Sequence, residues 1–462
     1  MILVKKLFEP RDMTQGEPWK QIALFSLPLL LGNIAQQLYN TVDSIVVGHY
    51  EGDNALAAVG SAGPIFNLLL VLFIGISSGV GIMVAQYFGA RAREQLSNTI
   101  GTCMTLCAIA SGVIMLITPP IIRPMLEVLN TPVAIIDDCT AYLSIMMYGV
   151  IGLAYYNILS GILRGLGDSF SGLLYLLVAT ILNIILDILF VAAFGMGVAG
   201  VALATAIAQA VSAVLCLRKL LQMKETFDLG ISQLKIKKEL AGRIVKLGLP
   251  TGATQAILSS AMIIVQSLTN SFGEMFIAAN VIVMRVDGFA MLPNMSFAVA
   301  MTTYSGQNVG ARQFDRVSKG AKQGLIMAIL CSTLITLTIL IFGKYLMMIF
   351  TDTRELVELS VYIMRILAVG YIAVSVTQTL SGVMRGVGDT ITPMWISLFT
   401  TVILRVPLAY GISYLTRTES LPTGRFECIA LSLMISWVAG AVITTLVYRK
   451  GRWRRVAQQE LA

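Results

Sequence analysis

The sequence predicts an all-α integral membrane protein that crosses the bilayer twelve times, as twelve transmembrane helices in two six-helix bundles. Of its 462 residues, 56% are hydrophobic and 13% are charged, whereas a soluble domain carries about a quarter charged residues. Apolar stretches of about 20 residues, the length that crosses a bilayer as a helix, recur along almost the whole chain. Lipid gives the backbone no hydrogen bonds, so only helices or closed barrels can span it, and the alternating strands of a barrel are not found in the sequence.

The positions of the apolar stretches define the predicted spans. In chain order they cover residues 20–45, 55–82, 96–119, 138–161, 170–192, 197–219, 243–269, 277–303, 320–342, 358–382, 391–415 and 427–448. Residues 1–18 carry several charged side chains, and the apolar segment after them is too long for the core of a cleavable signal peptide. We therefore expect that segment to stay in the mature protein.

The basic residues are distributed unevenly between the two sides of the predicted membrane. Most of the 33 Lys and Arg fall in the amino terminus, the even-numbered loops and the carboxyl terminus, which all lie on one side. Because basic loops remain in the cytoplasm, both termini are expected there, and the protein is expected in the plasma (cytoplasmic) membrane. The net charge of +8 is then a signal of topology that also favours anionic lipid headgroups, and no nucleic-acid partner is expected.

The chain repeats itself once. Three collinear pairs of motifs match: LSGILRGLGD at 159–168 with LSGVMRGVGD at 380–389, QYFGAR at 86–91 with QNVGAR at 307–312, and the Leu-Pro pairs at 27–28 and 249–250. We predict a cytoplasmic segment (1–19), a first bundle (20–219), a cytoplasmic linker (220–242), a second bundle (243–448) and a basic tail (449–462). Because six is even, the two bundles enter the membrane with the same orientation and are related by a pseudo-two-fold axis along the membrane normal.

The repeated motifs have a structural interpretation that we prefer to a direct functional one. Glycine supplies tight turns between spans, and arginine anchors at the membrane interface. Gly165 and Gly167 follow no strand, and the chain contains no phosphate-binding loop pattern, so neither nucleotide fingerprint is supported.

Charged residues inside the predicted spans are the sharpest functional signal. Three are acidic and two are basic: Asp43, Asp187, Asp287, Arg285 and Arg405. Each costs about 2.5–3.5 kcal/mol at the bilayer centre. Such residues normally face a cavity or a partner and serve the path of an ion or substrate.

The first and fifth spans each carry a polar face. In the first span it includes Gln36, Tyr39, Asn40 and Asp43, and in the fifth Asn183 and Asp187 lie one turn apart. Carboxylate and amide oxygens in a pocket of low dielectric suit a small cation, either Na+ or a proton. The alternative is a network of hydrogen bonds that only packs the helices together.

The second half offers a different set of residues. Arg285 and Asp287 point to nearly opposite sides of a helix and cannot pair, so we predict that Asp287 pairs with Arg405. A structural salt bridge and a role in coupling are both compatible with that pair. Met284 and Met291 in the eighth span would suit varied organic cations, although contact with lipid or core is the commoner role of methionine.

Metal and enzyme chemistry are not indicated. The six cysteines are scattered, and the chain has one histidine, so we expect no zinc site. No cluster of His, Asp and Cys resembles a catalytic centre. We expect no enzyme activity and no cofactor beyond a coupling ion.

Together these residues resemble the multidrug and toxic compound extrusion (MATE) family, and within it the DinF-like branch. The resemblance covers nearly the whole chain and rests on QQLYNTVDSIVVG (36–48), ALAAVG (55–60), LRGLGD (163–168), the Asn183 and Asp187 pair, AANVIVMRVDGFAMLP (278–293) and QNVGAR (307–312). The NorM-like branch is expected to have acidic residues in the seventh and tenth helices, where this chain has neutral ones.

The resemblance implies a secondary transporter that works by alternating access and exports cationic drugs or toxins against Na+ or H+ entry. In this branch the cation-coupling site, which is also the candidate Na+ site, uses positions that correspond to Asp43, Asn183, Asp187 and Thr205. Gln36, Tyr39, Asn40, Met284, Arg285, Asp287, Met291 and Arg405 are the candidate residues of the substrate cleft. The expected partners are organic cations and the lipid bilayer, and the chain is expected to work as a monomer.

Three other functions stay open. A lipid-linked oligosaccharide flippase of the same superfamily would need a basic cleft, whereas the intramembrane charges here are mostly acidic. A membrane enzyme would need a catalytic cluster. A channel would conduct without a driving ion gradient.

Overall fold

A computed structural model describes residues 10–128 and 131–459 of the chain. Within these ranges it does not describe the side chains of 39–54, 56, 57, 61, 63–65, 67–69, 72 and 459. The described chain is almost entirely helical, and its extended structure is one isolated β-bridge between Thr418 and Leu421. The predicted all-α class is therefore confirmed for the part of the chain that the structure describes.

Six α-helices and one π turn make up the first half. They are α1 (Pro18–Gly89), α2 (Arg93–Val128), α3 (Val133–Tyr148), α4 (Val150–Gly165), α5 (Phe170–Asp187) with the π turn Ile188–Ala193, and α6 (Gly197–Gln222).

Eight α-helices and a second π turn follow. They are α7 (Lys238–Asn270), α8 (Glu274–Gly310), α9 (Phe314–Met348), α10 (Arg354–Gly386), α11 (Ile391–Ser397) with the π turn Leu398–Leu404, α12 (Arg405–Leu415), α13 (Glu427–Arg449) and α14 (Arg452–Gln459).

Nine helical segments of the described chain are long and apolar enough to cross a membrane, or ten if the bent pair α3 and α4 is one span. The predicted count of twelve is thus not reached in the described residues. The first two predicted spans lie within the single 72-residue helix α1. At 1.5 Å per residue a helix of that length extends about 108 Å, more than the roughly 30 Å of hydrocarbon. No proline stands between Pro28 and Pro64 to remove a helical hydrogen bond, which is consistent with its continuity.

The fourth predicted span is divided by a bend. α3 and α4 meet at Gly149 with an angle of 52°. A Cβ built on Gly149 would lie 2.5 Å from the Cβ of Ala206, so α6 approaches the bend too closely for any side chain there. The bend therefore depends on glycine.

Each π turn adjoins an intramembrane charge. α5 ends at Asp187 immediately before its π turn, and α12 begins at Arg405 immediately after the other. Single π turns within helices occur frequently at functional sites. Neither turn was predicted from the sequence.

The chain forms two compact units. The first consists of the chain up to Asp12 with Leu27–Gly252, and the second of Met13–Ser26 with the chain from Ala253 onward. The core of the first unit includes Val80, Ile100, Leu159, Leu163 and Leu220. The core of the second includes Val283, Met347, Leu367, Tyr371 and Cys428. The predicted domain boundaries remain predictions.

The repeated LSG motif builds the same close helix crossing in each unit. In the first unit a Cβ on Gly161 would lie 2.9 Å from the carbonyl oxygen of Ser77, and one on Gly165 would lie 2.7 Å from that of Gly81. At the equivalent positions of the second unit, a Cβ on Gly382 would lie 2.4 Å from the carbonyl oxygen of Ala298. Helices packed this closely in a membrane need small residues at the contact.

The same motif also makes the turn after the crossing. Gly167 and Gly388 have φ values of 87° and 100°, a region that only glycine adopts at little cost. Asp168 then accepts hydrogen bonds from the amide (2.9 Å) and hydroxyl (2.6 Å) of Ser171 at the start of α5. The structural interpretation of the motif is confirmed for its glycines.

The linker between the units' main parts is fixed to α2. Arg93 donates from Nη2 to Asp228 Oδ1 at 2.9 Å and to the carbonyl oxygen of Lys224 at 2.7 Å. The amide of Asp228 donates to Ser97 Oγ at 2.9 Å. The hydrogen bond and charge of Arg93 lower the pKa of Asp228 below its ordinary value. The linker residues 223–237 contain turns but no helix.

Candidate functional site

Asn183 and Thr205 form a buried polar contact between α5 and α6. Asn183 Nδ2 donates to Thr205 Oγ1 at 3.4 Å. The two side chains are 1% and 7% exposed. Asn183 Oδ1 has no hydrogen-bond partner among the described residues. An unsatisfied amide oxygen in an apolar interior is costly, and it is a ready ligand for a cation.

Asp187 lies one turn beyond Asn183 on the same face of α5 and is fully buried. It is the last α-helical residue before the π turn, and Val191 in that turn belongs to a buried apolar cluster with Val198 and Val201. A carboxyl group in such surroundings must be neutralised by a partner, a cation or a proton. The structure thus brings together three of the four predicted cation-coupling residues on two adjacent helices.

Gln209 is a further polar residue that sequence reasoning missed. It is 5% exposed and lies on α6 one turn after Thr205. The α6 residues on either side of it contact α5, since Thr205 meets Asn183 and Ser212 Oγ donates to the carbonyl oxygen of Tyr175 at 3.0 Å. Gln209 Oε1 has no hydrogen-bond partner among the described residues. Its spacing of four from Thr205 was the signal that could have found it.

The polar face of the first span is only partly described. Gln36 is half-buried. Tyr39, Asn40 and Asp43 belong to the helix α1, but their side chains lie outside the described residues. A Cβ on Gly32 would lie 3.7 Å from Leu173 Cδ1, so α1 packs against α5 next to this face.

The described donors of this site are all oxygen and nitrogen atoms of amide, hydroxyl and carboxyl groups. Among the described residues, no group of three or more His, Cys, Asp or Glu side chains could hold a metal ion. The described polar atoms at the α5–α6 contact are amide, hydroxyl and carboxyl oxygens, which are hard ligands suited to Na+ or to carrying a proton. Oxygen ligands of this kind are the ones that small monovalent cations prefer.

In the second unit, the hydrogen-bond partner of Asp287 is a residue other than the predicted Arg405. Its carboxylate accepts a hydrogen bond from the hydroxyl of Tyr371, and it makes no ion pair with Arg405 among the described contacts. Arg405 is 8% exposed and its Nε has no hydrogen-bond partner in the described chain. The two charges still act on each other electrostatically. A tyrosine hydroxyl reaches the carboxylate from α10, whereas Arg405 sits at the start of α12.

Tyr371 was not found from the sequence. It is fully buried, and its ring lies 5.8 Å from that of Trp437, measured between centroids. Its hydroxyl also lies 2.8 Å from Met364 Sδ. Nothing in the sequence distinguishes it from the other 14 of the chain's 15 tyrosines, because the contact depends on how α8 and α10 pack.

The other predicted cleft residues of α8 are less buried. Arg285 is exposed, Met284 is 47% exposed, and Met291 packs against the core of the second unit. Asn280 Nδ2 lies 3.7 Å from Met284 Sδ. The structure therefore places Arg285 and Asp287 in different environments, as their spacing along the helix predicted.

The chain matches one protein family over most of its length. The model of the MatE family matches residues 28–189 and, a second time, residues 250–411. The two matches begin at Pro28 and Pro250, which are the prolines of the repeated Leu-Pro pairs.

Relatives and a solved structure agree with that match. The chain is 29% identical to the probable multidrug resistance protein YoeA of Bacillus subtilis, over 90% of this chain and 92% of that protein. It is 28% identical to DNA damage-inducible protein F of Escherichia coli, over 72% of this chain and 73% of that protein. The outward-facing structure of a multidrug resistance MATE family transporter of the MOP superfamily shares the fold with a TM-score of 0.89 at 23% identity, over 97% of this chain and 99% of that one.

Proposed function

Since this chain belongs to the MatE family of multidrug and toxic compound extrusion transporters, we propose that it exports organic cations by alternating access, driven by the entry of Na+ or H+. It is a membrane transporter and not an enzyme. We place it in the plasma membrane with both termini in the cytoplasm, as the distribution of basic residues indicates.

The buried oxygen cluster on α5 and α6 is the observation that carries the proposal. Asn183, Asp187 and Thr205 are at most 7% exposed, in a helix pair that would otherwise pack with apolar side chains. Burying an ionisable group costs several kcal/mol, so a structural protein would gain nothing from it. In a transporter the buried ionisable group has a use, because a site that is unfavourable when empty binds a cation and can release it again.

The register of α1 and α5 supports a fourth member of this site. Spans one and five are predicted to run in the same direction, and Gly32 on α1 lies opposite Leu173 on α5. Counting equal numbers of residues along both helices places position 43 level with position 184. That level is between Asn183 and Asp187, which supports a coupling site shared by α1, α5 and α6.

In this scheme the driving cation and the exported drug compete for binding to the first unit. Cation loading would neutralise Asp187 and let α5 and α6 pack around it, and release would leave a carboxylate that attracts a cationic drug. The π turn after Asp187 gives the helix a place at which it can change its local register at low cost.

The test is efflux of a fluorescent organic cation from proteoliposomes under an imposed Na+ or H+ gradient. The wild type is compared with Asp187→Asn and Asp43→Asn, and the control is Asp352→Asn, whose side chain is exposed between α9 and α10. We expect both intramembrane variants to lose gradient-driven export while the control keeps it. Full export by the double variant Asp43→Asn, Asp187→Asn would refute the proposed coupling site.

The alternative, a lipid-linked oligosaccharide flippase, has one observation in its favour. Arg405 is a buried guanidinium whose Nε has no hydrogen-bond partner in the described chain, and such a group could bind a pyrophosphate. The same proteoliposomes, loaded with a fluorescent lipid-linked sugar, separate the two functions. Ion-independent translocation of that lipid, without efflux of the cation, would favour the flippase.

A further inference from the structure

An apolar groove opens on the second unit where α11, α13 and α14 meet. Its volume is about 440 Å³. Its lining includes Trp395 of α11, Phe399 of the following π turn, Val447 of α13 and Arg452 of α14. Trp395 is 58% exposed. The groove thus has one cationic side chain at the end of an otherwise almost entirely apolar surface.

α14 holds Arg452 at this position. The chain turns out of α13 through Gly451, whose φ of 71° suits glycine. Trp453 is 3% exposed and stacks on Tyr448 with ring centroids 5.5 Å apart. Ala457, one turn on, is fully buried. The helix is therefore anchored by its apolar face, and its arginines face outward.

The charge around the groove favours an anion. Arg449, Lys450, Arg454 and Arg455 lie within a few residues of Arg452. Arg454 is held away from the groove, since its Nη2 donates to Ser318 Oγ at 3.1 Å. Arg452 makes no described ion pair. On the predicted topology this end of α13 lies on the cytoplasmic side, at the level of the lipid headgroups.

We propose that this groove is a binding site for an anionic phospholipid, with an acyl chain along Trp395, Phe399 and Val447 and the phosphate at Arg452. An acyl chain is the ligand that fits an apolar groove open to hydrocarbon, and a guanidinium pairs with a phosphate through two parallel hydrogen bonds. Each basic residue near an anionic surface strengthens binding about fivefold. The site is separate from the cation-coupling residues.

The experiment uses quenching of tryptophan fluorescence by brominated lipids. Full-length protein in detergent is titrated with phosphatidylglycerol that carries a dibrominated acyl chain, and in parallel with the equally brominated phosphatidylcholine. Trp395 lines the groove and reports contact with the chain. We expect phosphatidylglycerol to quench at about fivefold lower concentration than phosphatidylcholine.

Two variants and one control identify the site. Arg452→Gln should bring the two lipids within about twofold of each other, while Arg455→Gln, an exposed arginine that does not line the groove, should keep the wild-type preference. Trp395→Phe should remove the lipid-dependent part of the quenching.

The remaining outcomes overturn the proposal. Equal quenching by both lipids in the wild type shows that the groove does not select an anion. An equal effect of Arg452→Gln and Arg455→Gln shows only a diffuse basic surface. Displacement of phosphatidylglycerol by millimolar inorganic phosphate assigns the site to the free anion rather than to a lipid.

Discussion

At the scale of single residues, the buried polar groups of this protein are divided between two units with different chemistry. The first unit buries neutral oxygens beside Asp187, and in the second unit the half-buried Asp287 accepts a hydrogen bond from a tyrosine hydroxyl. A carboxylate that already accepts a hydrogen bond from Tyr371 is less available to a mobile cation than an amide oxygen with no described partner. This difference supports the proposal that ion coupling belongs to the first unit and that Asp287 has a fixed, structural or substrate-facing role.

The hydroxyl of Thr205 is the part of the coupling site that can be removed with least disturbance. Thr205→Val keeps the shape of the side chain but deletes the contact with Asn183, and we expect gradient-driven export to fall about fivefold to thirtyfold. Thr180→Val is the matched control, because the Thr180 hydroxyl donates only within its own helix, to the carbonyl oxygen of Leu176 at 2.9 Å. Equal export by the two variants in proteoliposomes would show that Thr205 has no part in coupling.

Tyr371 stabilises the second unit through Asp287. Tyr371→Phe leaves the half-buried carboxylate of Asp287 without its donor, and we expect a loss of about 1–3 kcal/mol in unfolding free energy. Tyr362→Phe removes a similar bond, to Glu427 at 3.3 Å, at a side chain that is 46% exposed, and should change stability little. The measurement is the thermal unfolding midpoint in detergent, and equal midpoints would contradict the prediction.

At the scale of helices, the glycines of the repeated motif allow two helices to pack closely against each other. Gly161 and Gly165 in one unit, and Gly382 and Gly386 in the other, let two backbones approach where a Cβ would collide with a carbonyl oxygen. Gly248 adds a second such crossing in the first unit, since its Cβ would lie 2.5 Å from the carbonyl oxygen of Gly75. In lipid these contacts replace the hydrophobic effect as the force that holds helices together.

A single methyl group tests this packing. Gly382→Ala would place a Cβ 2.4 Å from the carbonyl oxygen of Ala298, so the helices must separate at a cost of about 1–3 kcal/mol. Gly343→Ala is the control, because a Cβ there meets nothing within 4 Å and should be neutral or slightly stabilising. The readout is the yield and the unfolding midpoint of the purified protein, and an unchanged Gly382→Ala would exclude the close crossing.

The linker clasp, which is the ion pair of Arg93 with Asp228 that fixes the linker to α2, has a predictable dependence on pH. Arg93 lowers the pKa of Asp228 below its ordinary value of 3.8, so the clasp stabilises the linker fully above about pH 3.8. That stabilisation is lost as the pH falls through the lower pKa of the folded state. We expect amide hydrogen exchange of residues 223–237, corrected for its intrinsic pH dependence, to accelerate only below pH 3.8.

Asp228→Asn is the control for the clasp. It removes the titrating group, so its linker should exchange faster than the wild type at neutral pH and show no further change in this acid range. Identical pH profiles for the two proteins would show that the ion pair does not fix the linker.

The helices were largely predictable from the sequence, whereas their irregularities were not. Hydropathy located the spans because each needs about 20 apolar residues, and spacing placed Asn183 and Asp187 on one face. The bend at Gly149, the two π turns and the continuity of α1 through residues 46–54 depend on packing and backbone geometry that hydropathy does not record. Tyr371 was missed as a partner of Asp287 for the same reason, since a choice between two partners requires the positions of three helices.

At the scale of the whole molecule, the exposed surface is that of a protein in lipid. α9 is the clearest case: its most apolar stretch has a mean hydropathy of 2.6, yet only 22% of that stretch is buried within the protein. Leu330, Leu334 and Ile341 on this helix are each more than 60% exposed. A soluble protein does not present such a surface to water.

The predicted topology can be tested on the whole protein. In a chain with its six cysteines replaced, we expect Ser420→Cys, in the loop before α13, to react with a membrane-impermeant maleimide in intact cells. Ser232→Cys in the linker should react only after the cells are permeabilised. The reverse pattern would invert the orientation inferred from the basic residues.

The two π turns have a consequence for anyone who maps this protein by substitution. A π turn contains an additional residue, so the side chains on either side of it no longer share the 3.6-residue repeat of one α-helix. In a substitution scan through Phe170–Ala193, the periodic pattern of sensitive positions should therefore shift by one residue after Asp187. In a scan through Ile391–Leu415, the same shift should come before Arg405. In each of these spans the charged residue marks the boundary at which one periodicity ends and another begins.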